Sequence, residues 1–414
     1  MEKATLRGDI TFKSTSQAND IHGEIKPIDA DGKILDTNHA MPHKLPTQLY
    51  TTINEFTVES GEKLINATIA FTVNGSPYGS ASPLSSQFRD GQAKGHYGPA
   101  FPKTTIRDDV RIHKHVMDLL GVKSIYCVIG GSMGGMLALE WAFFGMEYVR
   151  SAVLIATAAR QSAWAIAWAE NQRSTIRCDL NFLEGFYGDN PPIAGLGAAR
   201  MAALLTYRTH QSFESRFGRR RVDDGTVLSV ATNSAYRSRH LNPEVAAICP
   251  QAKDGRIILD AEPREQSGIF SAQSYLRYQG EKFNERFDAN CYLHILDKID
   301  SHDITRGRSS NLSDGEAIKE VLGQIQQPTL VIGIPTDGLY PISEQLALFE
   351  KIPNATFASV ESKDGHDGFL LEGEQMNIIL HSFFDQDLYH SKCRRETYPL
   401  ERKLERDQVE IRFD

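Results

Sequence analysis

Cysteine is scarce in this chain: five in 414 residues, at 127, 178, 249, 291 and 393. No two are spaced as Cys-x-x-Cys, so neither a thiolate zinc site nor a disulfide framework is expected, and reduced thiols in a cytoplasmic protein are the simpler reading. An apolar leader is missing too. The chain opens Met-Glu-Lys-Ala-Thr-Leu-Arg-Gly-Asp, which has no h-region. No apolar run reaches the length of a membrane span. Positive charge is in deficit, with a formal net charge of -8; that argues against non-specific nucleic-acid binding. What remains is ordinary soluble-domain composition, 41% hydrophobic and 24% charged, over a length that suits one large domain with an insertion or two domains.

Residues 1–50 are polar and without period, with a turn signal at Asp29-Ala-Asp-Gly32, and read as a loosely ordered arm. His39 and His43 lie there without other ligand types and read as solvated loop histidines; no metal site is expected. Alternation over 55–59 and 64–73 about Ser60-Gly61 predicts a hairpin. Thr105 with Asp108 predicts a capped helix over 106–120. Ser124–Ile129 predicts a short buried strand, Met136–Phe144 an apolar helix and Val149–Ala156 a second buried strand. Residues 161–323 lose the strand–helix alternation and read as a mostly helical lid, with helices at 164–177, 195–208 and 274–286. Strands return at 329–334 and 355–359, a helix at 373–384 closes the core, and residues 389–414 form a charged tail. The order implies an α/β core, residues 51–160 and 324–388, with a mostly parallel sheet and a lid insertion.

Gly130-Gly-Ser-Met-Gly134 fits G-x-S-x-G, between a predicted strand and a predicted helix. A nucleophile elbow needs that setting, so that Ser132 stands above the sheet and the Met133 N–H serves as an oxyanion donor. A phosphate cradle is the competing reading, but it would want Gly-Lys-Ser/Thr or a Gly-x-Gly-x-x-Gly run. A serine hydroxyl needs a base, and the base an orienting carboxylate. Asp337 follows the strand at 329–334 and His366 the strand at 355–359, which is the chain order an α/β-hydrolase triad requires. A turn aspartate and a loop histidine would be the bland readings of each alone. Their joint placement outweighs them.

Longer motifs carry a resemblance. Gly-Gly-Ser-Met-Gly-Gly-Met with Leu139-Glu-Trp-Ala142, Phe101-Pro-Lys-Thr-Thr-Ile-Arg-Asp-Asp109, Ala159-Arg-Gln-Ser-Ala-Trp164, Ala199–Arg208, Ser212–Arg219, Ser274–Gln279, Phe287–Asn290 and Gly365-His-Asp-Gly-Phe369 resemble the homoserine O-acetyltransferase family, in its fungal form, from about Glu55 to Asp385. The resemblance implies a ping-pong transfer of acetyl from acetyl-CoA, a co-substrate and not a bound cofactor, to the hydroxyl of homoserine in methionine biosynthesis. It implies acceptor contacts by Arg200, Tyr207 and Asp367, and a homodimer through the lid. Arg200 and Tyr207 are seven apart and so share a helix face. Serine or a secondary-metabolite alcohol is the alternative acceptor, water would make a hydrolase, and a catalytically dead partner is a further reading. One departure bears on these. The family has a segment with a second oxyanion donor where Phe71-Thr-Val-Asn-Gly75 joins its flanks directly. Losing such a donor costs about a hundred- to a thousandfold in rate, which makes an impaired homologue the other expectation.

Overall fold

Two adjacent apolar strands set the core. Ala152–Ile155 and Thr329–Gly333 are buried at every position, the burial expected of central strands covered on both faces. The computed structural model describes residues 49–71, 86–89, 92–222, 252–253, 256–257, 269–309 and 312–385. The predicted arm (but for its last two residues) and the charged tail lie outside them.

The chain begins with a hairpin, β1 Leu49–Thr57 and β2 Lys63–Phe71, paired antiparallel. A short hairpin follows, β3 Ser86–Arg89 with β4 Gln92–His96. Helix α1, Ile106–Leu119, starts on a capping box in which Thr105 and Asp108 satisfy each other's backbone amides. Next come β5 Val128–Gly131, α2 Met133–Ala142 and β6 Ala152–Ile155. The inserted segment contributes α3 Ala163–Arg177, α4 Ile193–Tyr207, α5 His210–Arg216, the two-residue strands β7 Ala252–Lys253 and β8 Arg256–Ile257, then α6 Ser271–Asn284 and α7 Ala289–Asp300. After it stand α8 Asp314–Leu322, β9 Thr329–Gly333, α9 Ile342–Lys351, β10 Ala355–Ser359 and α10 Gly373–Phe383.

Strands β10, β9, β6 and β5 form one parallel sheet in that order. Alternation sorts its side chains by face. Leu154 and Val331 pack with Leu139 of α2, Val321 and Leu322 of α8 and Leu348 of α9. Val153, Ile155, Leu330 and Ile332 pack with Met376 and Phe383 of α10. A second core joins α3, α4, α6 and α7 through Ile176, Leu196, Phe283 and Tyr292. Helix α8 falls inside the predicted lid span, yet it packs on the sheet because Val321 and Leu322 complete that first face.

One expectation needs correction. The predicted buried strand at 124–129 forms at Val128–Gly131, preceded by a lone bridge from Ile125 to Val149. It is not fully buried. As the end strand of the described sheet, it leaves Ile129 52% exposed, with Tyr126 beside it at 54%. Among the described residues, no helix is long and apolar enough to cross a membrane.

Candidate active site

The turn between β5 and α2 places Ser132. Its backbone sits at φ 56°, ψ -123°, a region a side chain enters only at a cost of about 1–3 kcal/mol. Two hydrogen bonds hold it there: Ser132 N to the Ile155 carbonyl at 2.9 Å, and Thr157 Oγ1 to the Ser132 carbonyl at 2.8 Å. The flanking glycines make the room. A Cβ on Gly130 would fall 1.9 Å from the Gly134 carbonyl oxygen, one on Gly131 2.6 Å from the Phe369 ring, and one on Gly135 2.5 Å from Thr157 Cβ. Gly134 has open space instead. The pentapeptide pattern thus understates the requirement, since Gly135, outside it, is sterically obligatory. Met133 opens α2, so its N–H belongs to the unsatisfied amides of a helix N-terminus, where developing negative charge is favoured.

Asp337 and His366 meet directly. Asp337 lies just past β9, and its Oδ1 accepts from the backbone amides of Leu339 at 2.8 Å and Tyr340 at 2.9 Å. Its Oδ2 receives His366 Nδ1 at 2.7 Å. Both side chains are buried. A carboxylate already accepting two amides can only accept from the ring, which makes Nδ1 the protonated nitrogen and leaves Nε2 as the basic one. His366 rides on a short 3-10 turn, Gly365–Asp367, after β10. Three rings pack around its imidazole: Tyr340 at 5.4 Å, Phe369 at 5.7 Å and Tyr207 at 6.1 Å. Phe369 is also the ring that Gly131 must clear, so the serine elbow and the histidine turn close on one side chain. Met133 packs in the same cluster as Tyr340.

The inserted helices come down on this turn. Arg200 of α4 lies over the Tyr207 ring at 5.6 Å and the Phe283 ring at 5.1 Å. Burial raises the Tyr207 phenol pKa, the nearby Arg200 charge opposes that, and Asp367 adds to it. Burial likewise pushes Asp367 upward against the pull of Arg208, His366 and Arg200. Two cations, Arg200 and Arg208, therefore share the approach to His366 with the carboxylate of Asp367. From α3, Trp164 Nε1 donates to the Gly338 carbonyl at 2.9 Å, and Tyr340 donates to Gln161 Oε1 at 2.9 Å. Both tie the acid loop to the insertion.

Of the residues singled out in the sequence, Asp337 and His366 are hydrogen-bonded, Tyr207 packs on His366 with Arg200 over its ring, Asp367 adjoins His366 in the same turn, and the Ser132–Met133 elbow meets this turn through Phe369 and Tyr340. Sequence reasoning missed three others, Thr157, Tyr340 and Arg208. Arg208 closes the Ala199–Arg208 motif, which was its only signal; its ion pair with Asp367, Nε to Oδ2 at 3.0 Å, spans too many residues to read from spacing. Two other motifs prove to be scaffolding. Glu140 of α2, nearly fully buried, pairs with Arg107 at 3.2 Å and Arg308 at 2.5 Å. Asp109 pairs with buried Lys298 at 2.7 Å. A cavity of about 570 Å³ beside them, lined by Glu59, Lys103, Arg107, His294 and Arg306, includes no member of the triad. Among the described residues, no cluster of His, Cys, Asp and Glu is placed to hold a metal ion.

Comparison with known proteins agrees with this fold. Residues 68–373 match the family model described as the alpha/beta hydrolase fold. The chain is 45% identical over 350 residues to a homoserine O-acetyltransferase of Emericella nidulans, covering 76% of this chain and 71% of the relative. It is 49% identical over 317 residues to one of Fusarium oxysporum f. sp. lycopersici, covering 76% and 83%. Among solved structures, a homoserine O-acetyltransferase from Bacillus anthracis superimposes with TM-score 0.63 at 17% identity, over 82% of this chain and 98% of that one. Esterase E22 does so at 0.58 and 19% identity, over 81% and 99%, a likeness of fold alone. With an elbow serine, a buried Asp–His pair and relatives this similar over most of the chain, the protein belongs to the homoserine O-acetyltransferase family of the α/β-hydrolase fold.

Proposed function

We propose that the protein transfers acetyl from acetyl-CoA to the hydroxyl of homoserine, with Ser132, Asp337 and His366 as its triad. His366 Nε2 takes the Ser132 proton as Oγ attacks the thioester carbonyl. The Met133 N–H receives the developing oxyanion. The intermediate collapses, the coenzyme leaves as the thiol with that proton, and acetyl remains on Ser132. The acceptor hydroxyl then gives its proton to Nε2 and attacks the acetyl group, and His366 returns the proton to Ser132 Oγ. Arg200, with Tyr207 beside it, suits the acceptor's carboxylate, and Asp367 its ammonium. The helical insertion acts as a lid that keeps water from the acyl-enzyme; a homodimer through these helices and a cytoplasmic location fit the reading.

One observation carries it: beside the base of a serine triad stand a carboxylate, Asp367, paired with Arg208, and a further cation, Arg200, laid over the Tyr207 ring that packs against His366. A plain esterase has no use for a zwitterion site. The test is incubation with acetyl-CoA and homoserine, serine or other alcohols, with products read by mass spectrometry. O-acetylhomoserine as the main product supports the proposal; free acetate alone would make the protein a hydrolase. A slow acetyltransferase is the second reading, favoured by the position of β5. The nucleophile strand ends the described sheet with Ile129 half exposed, and among the described residues Met133, at the start of the helix after Ser132, is the amide that fits the oxyanion role. A normal product formed about a hundred- to a thousandfold slowly would select it.

A further inference from the structure

Helix α4 ends at Tyr207 because Arg208 turns to an extended conformation, φ -119° and ψ 157°. Thr209, also extended, then caps α5 through a bond from Ser212 N at 3.0 Å. That corner sits on the histidine turn. Arg208 Nη1 donates to Asp364 Oδ1 at 2.9 Å, while its Nε pairs with Asp367 Oδ2 at 3.0 Å. One guanidinium therefore spans both carboxylates that flank His366. Ser212 Oγ donates to the same Asp364 oxygen, and Thr209 Oγ1 to the Lys363 carbonyl. Gly365, at φ +70°, closes the contact: a Cβ there would lie 3.1 Å from the Tyr207 carbonyl oxygen and 3.2 Å from Thr209 Cγ2.

We propose that Arg208 is a positioning residue that acts through Asp367, holding that carboxylate ionised with one oxygen occupied and the other left for the acceptor's ammonium. The inference rests on the acceptor reading above and adds a residue to it. Asp367 is 18% exposed at its side chain, and a carboxylate that deep without a partner takes up a proton in preference to staying charged. Arg208 is the first of the groups that oppose this. A neutral Asp367 would lose its preference for an amine, so Arg208 sets the choice of an amino acid over a plain hydroxy acid.

The test uses the full chain and two probes that differ only in the ammonium group, homoserine and 4-hydroxybutanoate. Calorimetric affinities are measured for the native protein and for Arg208→Ala and Arg208→Lys. A hydrogen-bonded charge contact is worth about tenfold to a hundredfold in affinity. The native protein is expected to favour homoserine by that factor. Arg208→Ala should erase the preference while 4-hydroxybutanoate binds within about threefold of native, and Arg208→Lys should restore part of it. Parallel weakening of both probes would make Arg208 a mere strap and overturn the proposal, as would an unchanged preference. If the native protein favours neither probe, the acceptor reading itself fails, and this inference with it.

Discussion

Replacing Asp337 by Asn probes the triad without disturbing its packing. The carboxylate accepts three hydrogen bonds, two from the backbone amides of Leu339 and Tyr340 on Oδ1 and one from His366 on Oδ2. An amide has one acceptor oxygen. The two amides of the 338–340 turn claim it, so the NH2 group faces His366. Its Nδ1 must then accept, and the ring proton moves to Nε2, the atom that has to receive the serine proton. The base is disabled by tautomer while the fold is kept. Such a tautomer error costs about 10⁴ in rate, or roughly 5.5 kcal/mol of transition-state stabilisation. Acetylation of Ser132 is followed by quenched-flow intact mass for native protein and Asp337→Asn, with thermal melts alongside. The expected result is a drop near 10⁴ with little change in melting temperature. A drop below tenfold would refute the assignment of Asp337 and leave its hydrogen bonds as turn chemistry.

Further tests use other parts of the structure. Gly135→Ala puts a methyl 2.5 Å from Thr157 Cβ and should cost about 1–3 kcal/mol in denaturant melts, whereas Gly134→Ala, facing open space, should be neutral or slightly stabilising; equal effects would mean the elbow is misdescribed. His302 is buried and His294 half-buried, and burial, joined for His294 by the charge of Lys298, lowers each to about 4. Their unfolded value is near 6.5, so unfolding takes up protons below it; stability should be full above pH 6.5 and fall by up to roughly 3 kcal/mol per histidine as the pH drops to about 4. Melting temperatures flat from pH 6.5 to 4.5 would contradict that burial.

The parts of the fold legible in the sequence were those whose cause is local. Strand β10 fills Ala355–Ser359 as read, and α1 starts where the Thr105–Asp108 box places it. The candidate triad could be nominated because order and position after a strand point to Ser132, Asp337 and His366, and the structure pairs the last two. Strand β5 was misread because an apolar run looks the same in the middle of a sheet and at its end; only pairing decides, and Ile129 lacks a neighbour on one side among the described strands. Helices α7 and α9 went unread: α9 follows Pro341 in a run that reads as loop continuation. Contacts between distant segments left no trace. The Glu140 ion pairs and the Arg208 bridge join residues more than thirty and more than a hundred and fifty positions apart, and no spacing rule reaches that far.

The central claim is that Ser132 carries acetyl between two substrates. Mixing the protein with acetyl-CoA in the absence of acceptor and reading its intact mass tests this most directly. The account predicts a single added acetyl group, mapped to the peptide holding Ser132 and absent in Ser132→Ala, which is discharged as O-acetylhomoserine when homoserine is added. An acetyl group on any other residue, or O-acetylhomoserine formed equally well by Ser132→Ala, would contradict it.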